Sequence, residues 1–516
     1  MENRKKDLKK PNKVKPPYID DDMEIEDIFE DDSEPRMRTK KEKKKLIEHL
    51  FGFIIALIGA AIASIFYLVL LDFGIVPSKY MTILAVVLVV LVFISLILQF
   101  LKGKAFIVGI IISILLSLLC GAGGYYAHSV TAAMKKVGGA TYKTDNMVLI
   151  VRADDPAKTL MDIKDYKVGY QTVLDQDNTK LMKKKLKDEM AGRQLGYVEY
   201  DALDTLGKAL LDNEIGAVIY NEPFTDMIDE MVEGYKDEVR ILYQYGIDTE
   251  IEEVVKEKTI EDPFHVYVSG IDVYGPITSN SRSDVNIIMT VNPRERKILL
   301  TTTPRDYFVP IPGVSGGVKD KLTHAGIYGV DKSMATLEEI YGINIDYYAR
   351  VNFTSLIKIV DLLGGVDVNS EYAFSAGGYS FQQGMNHLDG KQALTFSRER
   401  HSFGAGDNQR GRNQEAVITG MINKALSPAI LTNATNLINS VSDSVETNMT
   451  QDEMAQLIRM QLNEGGAWTI ESVNAVGTGD SQSCYSSGSQ LLYVMQPDWD
   501  SVQAISTRMK EITGEE

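Results

Sequence analysis

The sequence predicts three membrane-spanning helices followed by two α/β units, the larger a mixed α/β/α sheet domain and the smaller an accessory domain before it. Apolar runs at 50–71, 81–101 and 105–127 are each long enough to cross a hydrocarbon layer of about 30 Å. Beyond residue 145, buried-strand patterns alternate with helical ones, which is typical of α/β folds. Two further apolar runs follow the first, so the first does not have the form of a cleavable signal peptide.

The composition excludes several classes of protein. The 516 residues include 54 Lys and Arg against 71 Asp and Glu, which gives a formal net charge of −17. A chain without an overall positive field is not expected to bind nucleic acid. Its two cysteines, Cys120 and Cys484, exclude a disulfide scaffold and a cysteine-based metal centre. Any anion site must therefore be local.

Basic residues beside the apolar runs predict how the chain crosses the bilayer. The block RMRTKKEKKK at 36–45 precedes the first run, and Lys102 and Lys104 occupy the turn between the second and third. By the positive-inside rule, the N-terminus is cytoplasmic and everything after about residue 128 lies outside the cell. Residues 1–45 alternate basic and acidic blocks with few apolar residues, which predicts a disordered cytoplasmic tail. The sequence thus predicts a multi-pass protein of the cell membrane, with residues 46–128 in the bilayer.

Residues 129–255 are predicted to form the accessory domain. Its strand patterns are MVLIVRA, YKVGYQ and IGAVIYN, and its helical patterns are TKLMKKKLKDEMAG and ALDTLGKALLDN. Their order resembles one lobe of an extracellular solute-binding protein. No second lobe that would close on a ligand is apparent, so we favour a structural or partner-docking role over small-ligand binding. The charged segment 251–262 marks the boundary to the next domain.

Residues 263–430 are predicted to form the core of the larger domain, and 431–516 to complete it. Its strand patterns are HVYVSGID, VNIIMTV, KILLTTT, IDYYARV and GGVDV. Helical spacing appears in MATLEEIYG, FTSLIKIVDLLGG and RNQEAVITGMINKAL.

The segment VNIIMTV-NPRER-KILLTTT predicts an antiparallel hairpin with a five-residue connection. If Val291 lies opposite Lys297, then Asp284 lies opposite Pro304 and beside Arg305. With the strand that ends in Asp272 alongside, four charged side chains are expected at one edge: Asp272, Arg282, Asp284 and Arg305.

Two interpretations of these carboxylates stay open at this point. A close pair suits a hard cation such as Mg²⁺, which keeps waters or phosphate oxygens as further ligands. The alternative is a pair of turn-capping aspartates that bridge neighbouring arginines. Glycosidases also use two carboxylates, but that chemistry does not call for the arginines found later in the chain.

The stretch SRERHSFGAGDNQRGRNQ, residues 397–414, concentrates arginines in an acidic protein. Asp389 is predicted to cap a helix that ends near the start of this arginine-rich stretch. Asp407 is predicted to cap a second helix, 408–426. Guanidinium groups pair with phosphate oxygens, and helix N-termini favour anions. A solvated basic face would usually mix Lys with Glu. The stretch therefore predicts a local diphosphate site, with candidates Arg398, Arg400, Arg410 and Gln414.

Residues 263–426 resemble the catalytic domain of the LytR–CpsA–Psr family of Gram-positive cell-wall enzymes. The motifs, in matching order, are GID, RSD, NP, PRD, IPG, DKLTHA, IDYYARVNF, VDLLGGVDV, LDGKQAL and the arginine-rich stretch. Three spans followed by an accessory domain also resemble one branch of that family. Four positions differ from the usual residues: Thr303, Thr323, Phe396 and Asn413.

The resemblance implies a membrane-anchored phosphotransferase with a metal cofactor. Family members transfer glycopolymers such as teichoic acids or capsule from an undecaprenyl-pyrophosphate carrier to peptidoglycan, with Mg²⁺ or Mn²⁺. It implies that Asp272 and Asp284 hold the metal. It assigns the two phosphates to Arg305, Arg398, Arg400, Arg410 and Gln414, with Arg282 and Lys321 as weaker candidates.

The expected catalytic residues are Asp284, Arg305 and Asp407. Either Asp284 or Asp407 is expected to accept the proton of the attacking hydroxyl. We also expect release of phosphate from a prenyl pyrophosphate as a side activity. An apolar channel beneath the arginines is expected to hold the prenyl chain.

Two other classes of function compete with a transferase. A membrane regulator would need a cytoplasmic DNA-binding element, and the charged tail does not resemble one. A non-catalytic receptor would need ligand contacts in the accessory lobe, and the sequence does not identify them.

Overall fold

The computed structural model describes residues 40–101, 103–137, 142–250, 259–271, 277, 280–404, 406–427 and 445–515. The described residues up to 137 form three long helices, α1 (Lys40–Phe73), α2 (Ser78–Phe100) and α3 (Lys104–Val137). Within them, Lys44–Phe73, Ser78–Phe100 and Lys104–Ala132 are long and apolar enough to cross a membrane. They expose large apolar side chains such as Phe93 and Leu119, as lipid-facing helices do. The three predicted apolar helices are therefore confirmed.

Residues 142–250 form an α/β domain with five strands in the order β3-β2-β4-β1-β5. The strands are β1 (Tyr142–Arg152), β2 (Lys167–Gln171), β3 (Gly196–Tyr200), β4 (Ala217–Asn221) and β5 (Val239–Glu250). The helices are α4 (Gln176–Glu189), α5 (Leu203–Leu211) and α6 (Phe224–Met231). β2 runs parallel to both β3 and β4. The chain leaves β2 for β3 on one side and returns to β4 on the other, so the strand order reverses between β2 and β4.

Alternating side chains of β1 contribute to cores on both faces of this sheet. Val148 and Ile150 pack with α5 and α6, whereas Met147 and Leu149 pack with α4. The α5–α6 core also contains buried residues from the C-terminal part of the chain, including Val494. The accessory domain therefore packs directly against the larger domain through apolar side chains.

In the described parts of residues 259–515, six strands form a mixed sheet in the order β16-β11-β6-β7-β8-β17. They are β6 (Phe264–Ile271), β7 (Ser283–Asn292), β8 (Lys297–Thr302), β11 (Tyr347–Asn352), β16 (Val445–Thr447) and β17 (Thr469–Asn474). β6, β7 and β8 are antiparallel neighbours, while β11 runs parallel to β6 and β17 parallel to β8.

Helices cover both faces of this sheet. They are α7 (Leu322–Ala325), α8 (Val330–Tyr341), α9 (Phe353–Leu362), α10 (Gly390–Arg398), α11 (Gly406–Ala425), α12 (Gln451–Glu464) and α13 (Trp499–Thr513). Ile288 of β7 packs with α8 and α13, whereas its neighbour Ile287 packs on the face covered by α11 and α12. This arrangement confirms the predicted α/β/α domain. The shorter strands are β9 (Phe308–Pro310), β10 (Lys319–Lys321), β12 (Val366–Ser370), β13 (Phe374–Ala376), β14 (Tyr379–Phe381), β15 (Gly384–Leu388), β18 (Gly477–Ser483) and β19 (Leu491–Pro497).

The predicted register of the β7–β8 hairpin is wrong by one residue. Asn292 lies opposite Lys297, so the connection has four residues, 293–296, rather than five. The side chain of Asn292 explains the shorter turn, because its Oδ1 accepts a hydrogen bond from the Glu295 amide at 3.0 Å. The shift matters for the site, since the same register continued along the hairpin brings Arg305, rather than Pro304, level with Asp284.

The membrane helices contact the larger domain directly. α3 continues past its apolar stretch, and Val130 and Met134 pack against Ala455 of α12. Leu457, on the same helix, belongs to an apolar cluster with Ile418 and Ile422 of α11. α12 therefore lies between the end of a membrane helix and the C-terminal half of α11.

Candidate active site

A cavity of about 600 Å³ lies between the sheet and the helices α9, α10 and α11. Most of its walls are apolar. They include Val268, Ile271, Val285, Met289, Leu356, Ile359, Leu394, Val417, Ile418, Met421 and Ile422. Its charged, imidazole and amide side chains are Asp284, Arg305, Asn352, Arg398, Arg400, His401, Arg410 and Gln414.

Helix α11 shows that the charged and apolar walls occupy opposite ends of the cavity. Arg410, Gln414, Ile418 and Ile422 are spaced four residues apart, and all four line the cavity. At a rise of about 1.5 Å per residue, Arg410 and Ile422 are separated by roughly 18 Å along the helix axis. One face of α11 thus changes from cationic to apolar along the length of the cavity.

A bulge in β7 brings Asp284 into this cavity. Val285 pairs with Gly270 and Ser283 pairs with Ile271, so Asp284 is an extra residue without a partner in the ladder. Adjacent side chains of a regular strand point to opposite faces, yet Asp284 and Val285 both line the cavity. A bulge redirects a side chain in this way.

The carboxylate of Asp284 is held by two donors. Its Oδ1 accepts hydrogen bonds from Arg305 Nη1 at 3.0 Å and from Thr323 Oγ1 at 3.1 Å. Burial would raise the pKa of Asp284, but the charges of Arg305, Arg282 and Arg410 outweigh burial and lower the pKa below its ordinary value. The group is therefore ionised at neutral pH.

The arginine-rich stretch reaches the cavity from two helices. Asp389 caps α10 by accepting a hydrogen bond from the Gln392 amide at 2.9 Å, as predicted. α10 ends at Arg398, whose guanidinium carbon lies 4.1 Å from the centre of the Phe353 ring. The ring face favours this cation and orients it at the cavity wall.

Helix α11 begins at Gly406, two residues before the predicted start. Asp407 therefore lies in the first turn and not at the N-cap. Acidic residues are favoured at both positions, so the sequence pattern does not distinguish them. Arg412, two residues from Arg410, lies on another face of α11, where its Nε donates to Glu371 Oε2 at 2.8 Å.

The two weaker phosphate candidates, Arg282 and Lys321, contact the accessory domain instead of lining the cavity. Arg282 Nη1 lies 2.6 Å from Glu230 Oε1, and Lys321 Nζ lies 3.1 Å from Glu230 Oε2. Burial would raise the pKa of Glu230, but the neighbouring charges, that of Lys321 foremost, lower it below its usual 4.5. Glu230 thus joins the accessory domain to two cations near the site. Asp272 lies outside the described residues.

Glu415 is a buried carboxyl that the sequence reasoning missed. Its Oε1 accepts from Thr302 Oγ1 at 2.7 Å, and its Oε2 accepts from Asn474 Nδ2 at 3.2 Å. Burial raises the pKa of Glu415 to about 7. These bonds fix α11 to β8 and β17 beside Gln414. In the sequence, Glu415 stands out only as an acidic residue of the predicted helix that comes directly after the arginines.

Asp284 offers one carboxylate oxygen to a hard cation. Among the described residues, no group of three or more His, Cys, Asp and Glu side chains is placed to bind a metal. The second oxygen of Asp284, Oδ2, makes no hydrogen bond within the described part of the chain. An ionised carboxylate with one free oxygen can supply one ligand, and substrate oxygens and water can supply the others, as Mg²⁺ prefers.

The fold and the cavity define an α/β protein anchored by three apolar helices, with arginines at one end of an apolar cavity. The chain belongs to the LytR_cpsA_psr family, whose model matches residues 230–511. The resemblance drawn from the motifs is therefore confirmed.

Two relatives agree with this assignment. The chain is 37% identical over 199 residues to the polyisoprenyl-teichoic acid–peptidoglycan teichoic acid transferase TagU of Enterococcus faecalis, covering 38% of this chain and 65% of that relative. With TagU of Bacillus subtilis it shares 33% identity over 252 residues, covering 49% of this chain and 78% of that relative. The crystal structure of B. subtilis TagU aligns with a TM-score of 0.40 and 32% identity, covering 49% of this chain and 98% of that one.

Proposed function

We propose that this protein is a membrane-anchored phosphotransferase that moves a glycopolymer from an undecaprenyl-pyrophosphate carrier to peptidoglycan. The names of its relatives describe transfer of teichoic acid from a polyisoprenyl carrier to peptidoglycan. The observation that carries the proposal is the cavity, which combines an apolar wall with four arginines at one end. A prenyl diphosphate has the same two parts in the same order.

The apolar end of the cavity suits the prenyl chain. Ile418 and Ile422 line that end, and they pack in one cluster with Leu457 of α12. α12 in turn contacts α3 where that helix leaves its apolar stretch. A chain that enters the cavity from the bilayer would therefore meet apolar side chains first, and its methylene groups would stay out of water throughout.

The arginine end suits the two phosphates. Arg305, Arg398, Arg400 and Arg410 present guanidinium donors that can bond phosphate oxygens in pairs. Phosphoryl transfer depends mainly on positioning and on neutralising charge, and these residues supply both.

In the proposed reaction, a peptidoglycan hydroxyl attacks the phosphorus that carries the polymer. A new P–O bond forms to the acceptor, and the P–O bond to the carrier phosphate breaks. Undecaprenyl phosphate leaves with its charge held by the arginines. The hydroxyl proton passes to a carboxylate, for which Asp284 and Asp407 are the candidates. Asp284 is ionised at neutral pH, as a proton acceptor must be.

Mg²⁺ or Mn²⁺, bound by Asp284 and Asp272, would add a charge that neutralises the diphosphate oxygens. Asp284 would hold the cation with its carboxylate, which also accepts the hydrogen bonds from Arg305 and Thr323. The proposal places the N-terminus in the cytoplasm and the two α/β domains outside the cell, as the basic residues beside the apolar runs predict. Its partners are the lipid-linked polymer, peptidoglycan and the bilayer.

The test is release of phosphate from a prenyl pyrophosphate by the full-length protein in detergent, with and without Mg²⁺. We expect Mg²⁺-dependent turnover that Arg305→Ala and Asp284→Asn reduce at least about 100-fold, as loss of a charge-stabilising donor does in other enzymes. Unchanged turnover in both variants would contradict the site assignment.

A further inference from the structure

The strand ends of the accessory sheet hold a polar cluster that the proposed reaction does not use. Asp145 lies in β1, Asp175 follows β2, and Asn221 ends β4. β2 and β4 flank the point where the strand order reverses, and open α/β sheets usually bind ligands beyond the carboxyl ends of such strands. Asn280 of the larger domain completes the cluster.

Amide groups connect the two carboxylates. Asn221 Nδ2 lies 3.3 Å from Asp145 Oδ1 and 3.1 Å from Asp175 Oδ2. Asn280 Nδ2 donates to Asp145 Oδ1 at 2.8 Å. Within the described part of the chain, no Lys, Arg or His forms an ion pair with either carboxylate. Two negative charges are thus bridged by neutral groups alone.

The oxygens of both amides are buried and unsatisfied. Asn221 and Asn280 are each 3% exposed, and their Oδ1 atoms are buried without a hydrogen-bond partner among the described residues. A buried carbonyl oxygen without a partner is costly, and nearly all such groups in proteins are satisfied. A half-turn of the amide exchanges nitrogen and oxygen at almost the same positions. After such a turn each oxygen would face the carboxylates, where a cation would give it a partner, and each nitrogen would take the position that the oxygen occupies now.

We propose that Asp145, Asp175, Asn221 and Asn280 bind one Ca²⁺ ion at the junction of the accessory and larger domains. Carboxylate and amide oxygens are typical Ca²⁺ ligands, and Ca²⁺ tolerates irregular geometry with water in the remaining positions. Mg²⁺ demands a near-ideal octahedron and exchanges its waters reluctantly.

The ion would connect the accessory domain to the segment that carries the candidate active site. Asn280 lies four residues before Asp284, and its backbone amide donates to Thr144 O of β1 at 3.2 Å. Lys143 of β1 also bonds Tyr328 O, at 2.9 Å, on the larger domain. The strand-end edge of the accessory sheet is thus a docking surface for the chain's own second domain, and the ion would strengthen that contact.

The test is calorimetric titration of Ca²⁺ into the full-length protein in detergent, together with the thermal unfolding midpoint at each Ca²⁺ concentration. We expect one binding event that raises the midpoint and that Asp175→Asn weakens at least tenfold. Asp177→Asn is the matched control, because Asp177 lies two residues from Asp175, is exposed in the first turn of α4 and pairs with Lys180. Asp284→Asn should leave this event unchanged, which separates it from metal binding in the cavity.

Asn280→Asp provides a variant that strengthens the site instead of removing it. A third carboxylate should raise the Ca²⁺ affinity, and it should lower the unfolding midpoint when Ca²⁺ is absent because the negative charges repel. The proposal is overturned if the wild-type protein binds no Ca²⁺ at millimolar concentration or responds to Mg²⁺ alone. It is equally overturned if Asp175→Asn behaves like Asp177→Asn, or if Asp284→Asn abolishes the event.

Discussion

Arg305 Nη1 lies 3.0 Å from Asp284 Oδ1, and the pair forms only because β7 contains one extra residue at Asp284. Without the bulge, the alternation of the strand would turn Asp284 and Val285 to opposite faces of the sheet. The bulge depends on a close approach by the neighbouring strand. A Cβ added to Gly270 would come within 2.7 Å of the Val285 side chain.

Gly270→Val should therefore disturb the bulge and misplace Asp284. We expect turnover with a prenyl pyrophosphate to fall at least about tenfold, together with a loss of about 1–3 kcal/mol in the free energy of unfolding from overpacking. The control is Gly196→Ala, since a Cβ there meets no atom closer than 3.8 Å. Turnover and thermal unfolding of both variants check the prediction, and a fully active Gly270→Val protein would disprove it.

Arg410 and Arg412 give a matched pair of substitutions on one helix. Arg410 lines the cavity, whereas Arg412 bonds Glu371 outside it. We expect Arg410→Ala to reduce kcat/KM about 100-fold because a phosphate donor is lost, and Arg412→Ala to change it less than threefold. Steady-state kinetics with a soluble prenyl pyrophosphate provide the measurement. Equal losses in the two variants would show that the two faces of α11 are not functionally distinct.

Glu415 should make stability depend on pH near neutrality. Its pKa of about 7 in the folded protein lies above its ordinary value of 4.5, so the folded state holds the proton more tightly. The stabilisation that the protonated carboxyl gives the folded state is fully present below pH 4.5. It is lost as the pH rises through 7, and the free energy of unfolding falls by about 3 kcal/mol.

Glu415→Gln should remove this dependence, so the variant should lose less stability than the wild type between pH 5 and pH 8. Thermal unfolding of both proteins across that range measures the difference. Parallel curves for the two proteins would mean that the carboxyl does not carry the proton.

Glu230 should hold the accessory domain against the larger domain. Glu230→Gln would leave Lys321, 6% exposed, without its nearest carboxylate, and we expect a loss of about 2 kcal/mol in the free energy of unfolding. Because the pKa of Glu230 is lowered in the folded protein, the ion pair stabilises the fold fully above pH 4.5. This stabilisation is lost as the pH falls through the lower pKa of the folded state.

The control for Glu230→Gln is Glu233→Gln, an exposed carboxylate three residues further along the chain. Chemical denaturation at neutral pH, and again at acid pH, compares the two variants with the wild type. If both variants unfold alike at neutral pH, the contact does not join the domains.

Local patterns account for the features that were predicted correctly. The apolar runs, the alternation of β6 and β7 and the helix cap at Asp389 each depend on residues a few positions apart, which the sequence displays directly. The family motifs were equally visible because they are short and occur in a fixed order. The hairpin register failed because the side chain of Asn292 closes a turn shorter by one residue.

The three apolar spans, the two α/β units, the family and the arginines that line the cavity could all be predicted from the sequence. The fold was needed to show that Arg282 and Lys321 face Glu230, that Glu415 is buried between α11 and the sheet, and that Asp284 sits on a bulge. The physical reason is that periodicity and capping are local, whereas the partner, burial and direction of a charged side chain depend on residues tens to hundreds of positions away in the chain.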